Sequence, residues 1–94
     1  MINLIRNYFG KRNFLKKINK CIPLEVFANK VESLGIDKFS FLTYTRQLRQ
    51  DFKSVYVNID KKNQEPIVIY KNILLIDYKA LLWALEKQVP ISIK

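Results

Sequence analysis

The chain has 94 residues and a net charge of +9, with 17 Lys and Arg residues against 8 Asp and Glu residues. Its hydrophobic content of 49% is typical of a chain that folds, and its length allows one domain. The basic excess favours polyanionic partners, with nucleic acid ahead of an anionic membrane surface.

The residue types that are scarce exclude several kinds of chemistry. The chain has no histidine, a single cysteine and two glycines, and its carboxylates are scattered singly. Histidine-based catalysis, a zinc site and a glycine-rich phosphate loop are therefore not expected, and we predict neither an enzyme nor a bound cofactor. The lone cysteine favours a reducing, cytoplasmic setting. No apolar run reaches membrane-spanning length, so no membrane partner is expected.

Residues 1–20 contain six basic residues and no acidic one. We predict a basic helix here, bent near Gly10 or divided there into two short helices. Lys11, Arg12 and Lys16 are candidate contacts for nucleic-acid phosphates. The alternative is a core helix with a solvated basic rim, and a membrane-surface helix is disfavoured because the apolar residues form no continuous stripe.

Residues 23–54 are predicted to form a helix, a tight turn and a second helix. Pro23 suits the first turn of a helix, and apolar residues then recur at helical spacing as far as Leu34. Gly35 follows, where a left-handed residue closes a helix. Asp37 or Ser40 can cap the second helix.

The second helix, residues 39–54, is predicted to have two different faces. The apolar stripe comprises Phe41, Tyr44, Thr45, Leu48 and Phe52. The opposite face comprises Thr43, Arg46, Gln47 and Gln50, continues through Lys53 and Ser54, and carries no carboxylate. These polar side chains can bond both phosphates and base edges. An ordinary solvated helix face is the competing interpretation.

Beyond Ser54 the hydrophobic period changes from helical to alternating. Residues 55–59 and 67–70 read as two strands joined by a polar turn that has Lys61 and Lys62 near its tip. A tight turn at residues 71–72 leads into a third short strand. Asp77 then caps a Leu-rich helix, and residues 91–93 read as a short terminal strand after Pro90.

The sequence therefore predicts an α+β fold in one domain, residues 1–94. Its helical N-terminal half comprises the basic helix and the helix pair. A β-hairpin wing or small antiparallel sheet follows, and a C-terminal helix and short strand end the chain. The predicted core comprises Leu24, Phe27, Val31, Leu34, Phe41, Leu48, Phe52, Leu81, Leu82 and Leu85, flanked by Val55, Val57 and Ile59.

A helix pair followed by a hairpin with a basic tip resembles a winged helix-turn-helix. The segment KNILLIDYKALLWALEK, residues 71–87, is similar to the C-terminal part of small excisionase-like DNA-binding domains of phages and plasmids. The resemblance implies a double-stranded DNA partner and an accessory role in transcription or recombination. It also implies that Thr43, Arg46, Gln47 and Gln50 face the bases, and that Lys53, Lys61 and Lys62 contact phosphates.

A second class of function stays open. A small phage-type, anti-CRISPR-like inhibitor that binds a host defence or nucleic-acid-handling protein fits the same composition. Such an inhibitor should carry a contiguous apolar patch rimmed by charge, whereas a DNA binder should carry a basic stripe. A homodimer formed partly through residues 89–94 is also expected, because one small module buries limited DNA surface.

Overall fold

The computed structural model describes the main chain of residues 6–8 and all of residues 11–62 and 67–91. Five strands, five α-helices and one short 3₁₀-helix alternate along these residues. In chain order they are β1 (Arg6–Tyr8), α1 (Lys11–Ile18), β2 (Cys21–Pro23), α2 (Leu24–Ala28), the 3₁₀-helix (Val31–Leu34), α3 (Lys38–Tyr44), α4 (Arg46–Asp51), β3 (Ser54–Asn58), β4 (Ile67–Tyr70), β5 (Ile73–Asp77) and α5 (Tyr78–Lys87). The predicted α+β class is confirmed, as are the helical N-terminal half and the C-terminal helix.

The five strands form one mixed sheet in the order β1-β4-β5-β3-β2. Strands β4 and β5 are joined by a two-residue turn and pair in antiparallel orientation, with Tyr70 opposite Ile73. Strand β3 pairs with the other edge of β5 in parallel orientation, and the pairs run from Ser54–Ile73 to Asn58–Asp77. The sheet is therefore larger than the predicted hairpin and is not purely antiparallel.

Side chains alternate between the two faces of this sheet, so each face builds its own core. One face packs against α2, α3, α4 and α5 through strand residues such as Val57 and Ile76. The other face packs against α1, where Phe14 meets Val68 and Leu75. Helices therefore cover both faces, and the sheet separates α1 from the other four helices.

The predicted connection between residues 55–59 and 67–70 is wrong, because β5 lies between β3 and β4 in the sheet. Strands β3 and β5 are both rich in buried apolar residues, and their parallel pairing excludes a direct β3–β4 hairpin. Lys61 and Lys62 are consequently not at the tip of a wing. The true hairpin turn consists of Lys71 and Asn72.

The N-terminal prediction is correct in part. Residues 11–18 form a helix, but residues 6–8 form a strand that pairs in parallel with β4. Pairing along the edge of β4 overrides the helical pattern there. The remainder of the predicted helix over residues 1–10 lies outside the described residues, as do residues 92 and 93 of the predicted terminal strand.

The first helix of the predicted pair is interrupted. Helix α2 ends at Ala28, and Asn29 and Lys30 form a turn before the 3₁₀-helix. The helical spacing counted from Leu24 therefore does not extend to Leu34, which is 54% exposed and not in the core. Ile59 is also wrongly predicted as inward-facing, because β3 ends at Asn58 and leaves Ile59 41% exposed.

Helix boundaries follow the expected chemistry elsewhere. Gly35 closes the 3₁₀-helix with a φ of 80°, and the side chain of Asp37 accepts a bond from the Ser40 amide at the start of α3. Asp77 caps α5 by accepting from the amides of Lys79 and Ala80. No helix in the part of the chain that the structure describes has the length and apolar content needed to cross a bilayer.

Candidate nucleic-acid interface

Helices α3 and α4 are two halves of one bent helix. The amide of Thr45 donates to the carbonyl of Phe41, and the amide of Arg49 donates to the carbonyl of Thr45, so helical bonding continues across the junction. The buried Thr45 hydroxyl also donates to the Phe41 carbonyl at 2.9 Å. Back-bonding of this kind bends helices, which explains why the predicted single helix is divided at Thr45.

The predicted apolar stripe of this bent helix faces the sheet. Phe41 and Thr45 are fully buried, and Leu48 is 6% exposed. The predicted polar residues Thr43, Arg46, Gln47 and Gln50 are all exposed, as is Lys53 after the helix ends. The prediction of a polar outer face is therefore confirmed for the helix itself.

One feature of the polar face was predicted wrongly. The side-chain amide of Gln47 donates to the carboxylate of Asp51 at 2.9 Å, so a carboxylate adjoins this face. The spacing of four residues places Asp51 one helical turn after Gln47, on the same face of the helix. Gln47 is therefore already paired within the chain, whereas Arg46 and Gln50 are the stronger candidates for contacts with a partner.

Arg49 is a residue of this region that the sequence did not single out. Its guanidinium donates to the carbonyl of Leu42 at 2.6 Å and so joins α4 to the last turn of α3. This bond satisfies a carbonyl beside the bend and fixes the angle between the two halves. Arg49 lies seven residues after Leu42, a spacing that predicts no side-chain bond to the main chain in a straight helix. The bond could therefore not be predicted before the division of the helix at Thr45 was known.

The turn of the β4–β5 hairpin lies beside the end of α4. The amide of Lys53 donates to the carbonyl of Asn72 at 2.8 Å, and Lys71 precedes Asn72 in the turn. We call the end of the sheet that carries Lys53, Lys71 and Asn72 the hairpin end. Lys71 has a φ of 50°, a left-handed conformation that is costly for a residue with a Cβ. Its ammonium lies 5.5 Å from the centre of the Tyr70 ring.

Lys61 and Lys62 lie at the opposite end of β3 from Lys53. The five residues of β3 separate the two groups by about 17 Å along the strand. An Asx-type turn orders this second group, because the Lys62 amide donates to Asp60 at 2.9 Å. The structure therefore does not bring Lys61 and Lys62 together with the hairpin end.

The basic residues of α1 form a third group on the other face of the sheet. Lys11, Arg12 and Lys16 are all exposed, and the helix is held by Phe14, which is 1% exposed and stacks on Tyr70 with ring centres 5.2 Å apart. Because Lys11 lies one turn before Phe14, the start of α1 is close to the hairpin end. Lys16 instead lines a cleft near Asp60, where Lys20 is 3.7 Å from that carboxylate.

Two other polar groups have structural partners in place of ligands, and one of them is the thiol of Cys21, which donates to the carbonyl of Lys17 at 3.3 Å. The hydroxyl of Tyr44 donates to the carbonyl of Val89, and burial raises the pKa of Tyr44. Burial raises the pKa of Cys21 to about 11, so its thiol stays protonated and weakly reactive at neutral pH. Among the described residues, no three Cys, Asp or Glu side chains lie close enough to hold a metal ion.

Comparison with protein-family models, curated proteins and solved structures gives no match for this chain. The similarity of residues 71–87 to excisionase-like domains thus has no support beyond the residues themselves.

Proposed function

We propose that this protein binds double-stranded DNA as a small accessory factor of transcription or recombination in a phage or mobile element. The observation that carries the proposal is the bond between Lys53 and Asn72, which sets the hairpin turn beside the end of α4. A polar helix face and a lysine-bearing hairpin turn thereby adjoin, as in a winged helix. The turn is that of β4 and β5, with Lys71 in the place that Lys61 and Lys62 were expected to take.

Helix α4 suits insertion into a major groove. An α-helix with its side chains is about 10–12 Å in diameter, which matches the width of the major groove, about 12 Å. Arg46 matches the O6 and N7 acceptors of guanine, and Gln50 matches the N6 and N7 groups of adenine. Thr43 can support either contact through its hydroxyl. Gln47 contributes only if its amide leaves Asp51.

Lys53 and Lys71 supply phosphate contacts on either side of the bond that joins their two segments. A lysine with a φ of 50° is held in a conformation that glycine adopts more cheaply. Retaining a charged side chain at such a position is typical of sites where the side chain has a use. We assign Lys71 to the DNA backbone at the edge of the groove that α4 enters, a contact that its ammonium makes on leaving the Tyr70 ring.

The basic residues of α1 play a different part in this proposal. The sheet lies between α1 and α4, so Lys16 cannot reach the groove that Arg46 enters. Lys11 and Arg12 lie near the start of α1 and extend the positive surface around the hairpin end. They add affinity that depends on salt and carry no sequence information.

Substitution of Arg46 tests the proposal. Selection from a random duplex library defines the preferred site of the wild type, and titration against that site and its single-base variants measures specificity. Arg46→Ala should cost about 1–3 kcal/mol and relax preference at one base position. Arg12→Ala, with the same charge change on the other face, should weaken binding to all sequences alike.

A double variant decides whether α4 belongs to the recognition surface. Arg46→Ala with Gln50→Ala should fold normally, because both side chains are exposed. If that variant retains full specificity for the preferred site, α4 does not read DNA. The start of α1 would then become the leading candidate for nucleic-acid contact.

A dimer is part of the same proposal, because a single small module buries only about 600–1,000 Å² of protein surface on DNA. Within one chain, Val89 already bonds through its amide to Ala84 and through its carbonyl to Tyr44. Ile91 also forms a β-bridge within the chain and packs against the core, so pairing between chains would begin after it. Truncation after Ile91 should leave a folded monomer with weaker DNA binding, as measured by sedimentation and titration.

A further inference from the structure

A groove lies at the end of the sheet opposite to the hairpin turn, beside the residues that follow β3. We call this end of the sheet the groove end. The groove has a volume of about 310 Å³ and runs between the 3₁₀-helix and the residues that follow β3. The residues that line it are Phe27, Lys30, Ser33, Leu34, Ile59, Lys61 and Tyr78.

The groove gathers apolar side chains that the hydrophobic pattern places in the core. Leu34 is 54% exposed and Ile59 is 41% exposed, and the two stand on different segments of the chain. Phe27 and Tyr78 extend the apolar surface between them toward the main core. Exposed aliphatic groups that converge from separate segments are typical of a surface that a partner covers.

The two exposed lysines of the groove define the charge of that partner. Lys30 precedes the 3₁₀-helix and Lys61 follows β3, so the positive charges come from different segments. Among the described residues that line the groove, none carries a carboxylate. A partner that covers the apolar floor would therefore place its own flanking groups beside two ammonium groups.

The walls of the groove are held in place by local bonds. The hydroxyl of Ser33 donates to the carbonyl of Lys30 at 2.6 Å. On the other side, the amide of Asp60 donates to the side chain of Asn58 at 2.9 Å and fixes the start of the loop that carries Lys61. A preformed site loses less conformational entropy when its ligand binds.

We propose that the groove binds an acidic amphipathic peptide segment of another protein. Two apolar side chains of that segment would cover Leu34 and Ile59, and carboxylates on either side of them would pair with Lys30 and Lys61. An acidic peptide suits this surface better than nucleic acid, because phosphates gain nothing from the exposed aliphatic groups of Leu34 and Ile59. The site is separate from the hairpin end, so it does not depend on the proposed DNA contacts.

Selection from a displayed library of random 15-residue peptides tests this proposal. The wild type should enrich peptides in which paired apolar residues are flanked by Asp and Glu. The double variant Leu34→Gln with Ile59→Gln has the same net charge as the wild type. The general attraction of acidic peptides to a basic protein is therefore the same for the wild type and the double variant. The double variant should lose that enrichment. Leu15→Gln is the matched control, because Leu15 is 49% exposed on α1.

Fluorescence anisotropy with a synthetic peptide of the enriched sequence then measures affinity. The double variant should bind at least about tenfold more weakly, and Leu15→Gln should stay within about twofold of the wild type. Lys30→Gln with Lys61→Gln should weaken binding to the acidic peptide and leave its Asn- and Gln-substituted analogue unaffected.

Three outcomes would overturn the proposal. Peptides enriched equally by the wild type and the double variant would show that general charge attraction explains the selection. Enrichment of neutral or basic peptides would contradict the assigned charge of the partner. Sedimentation of the wild type as a dimer that the double variant cannot form would assign the groove to a second copy of this chain. Loss of DNA binding by Arg46→Ala has no bearing on these results.

Discussion

The two ends of the sheet carry similar charges in different surroundings. At the hairpin end, Lys53 follows α4 and its amide bonds to the hairpin turn, and the ammonium of Lys71 lies over the ring of Tyr70. At the groove end, Lys30 and Lys61 flank exposed aliphatic side chains. The positive charge that gives the chain its net charge of +9 is therefore divided between separate surfaces. The neighbours of each lysine, and not the charge itself, indicate whether the partner is a nucleic acid or a peptide.

Leu48→Ala should give the largest change in stability. The side chain is 6% exposed and holds α4 on the sheet near the hairpin end, so its removal leaves a cavity and costs about 2–5 kcal/mol. Leu34→Ala, at the groove end, should change the free energy of unfolding by no more than about 0.5 kcal/mol. Chemical denaturation measures both variants, and equal losses would contradict the exposed position of Leu34.

Gly35→Ala should give the next largest change. The residue has a φ of 80°, and a Cβ built on it meets no atom within 4 Å, so the cost comes from the backbone alone. A left-handed conformation costs a residue with a Cβ roughly 1–2 kcal/mol. Gly35→Asn should lose less, because Asn tolerates this region. If the alanine variant matched the wild type in denaturation, the turn beside the groove would have another conformation.

The two capping carboxylates should respond to pH in opposite directions. Burial raises the pKa of Asp77 above 3.8, so the unfolding free energy should fall as pH rises from 3.8 through the folded value. Bonds from Ser40 lower the pKa of Asp37, so its stabilisation should be lost as pH falls from 3.8 through its folded value. Denaturation between pH 2 and 7 measures the unfolding free energy of Asp77→Asn and Asp37→Asn. Each variant should lose the pH dependence that its own carboxylate contributes and keep the other. If Asp77 and Asp37 changed the unfolding free energy in the same direction with pH, the burial of Asp77 and the hydrogen bonding of Asp37 would not have the opposite effects described here.

Lys71→Gly should stabilise the protein slightly while weakening DNA binding. Glycine relieves the left-handed backbone but adds freedom to the unfolded chain, so we expect a gain of about 1 kcal/mol or less. Gln88, with a φ of 56° at the end of α5, is the matched control. Gln88→Gly should leave DNA affinity unchanged. If both variants weakened binding alike, the effect would not come from the Lys71 charge.

Local signals in the sequence were sufficient to predict several elements. The hydrophobic stripe of the bent helix, the closure at Gly35 and the caps at Asp37 and Asp77 all depend on residues within a few positions of one another. The exposure of Arg46 and Gln50 followed from the same helical period. These features do not require knowledge of which strands pair.

The pairing of strands could not be predicted in this way. Alternation in β3 and β4 is compatible with a direct hairpin, and only the parallel pairing of β3 with β5 separates them. Because of that pairing, the hairpin turn contains Lys71 and not Lys61 and Lys62. The same pairing also placed α1 and α4 on opposite faces, so one predicted set of basic residues was divided among three places in the fold.

A comparison of two lysine pairs tests the proposed DNA surface most directly. Lys53→Ala with Lys71→Ala and Lys61→Ala with Lys62→Ala remove the same charge from opposite ends of the sheet. The dependence of DNA affinity on salt concentration measures how many phosphates each pair contacts. The first variant should make the log–log slope shallower by about 1.8, at about 0.9 for each lost contact, and the second should leave it unchanged. Equal slopes for the two variants, or a larger change in the second, would contradict DNA binding at the hairpin end.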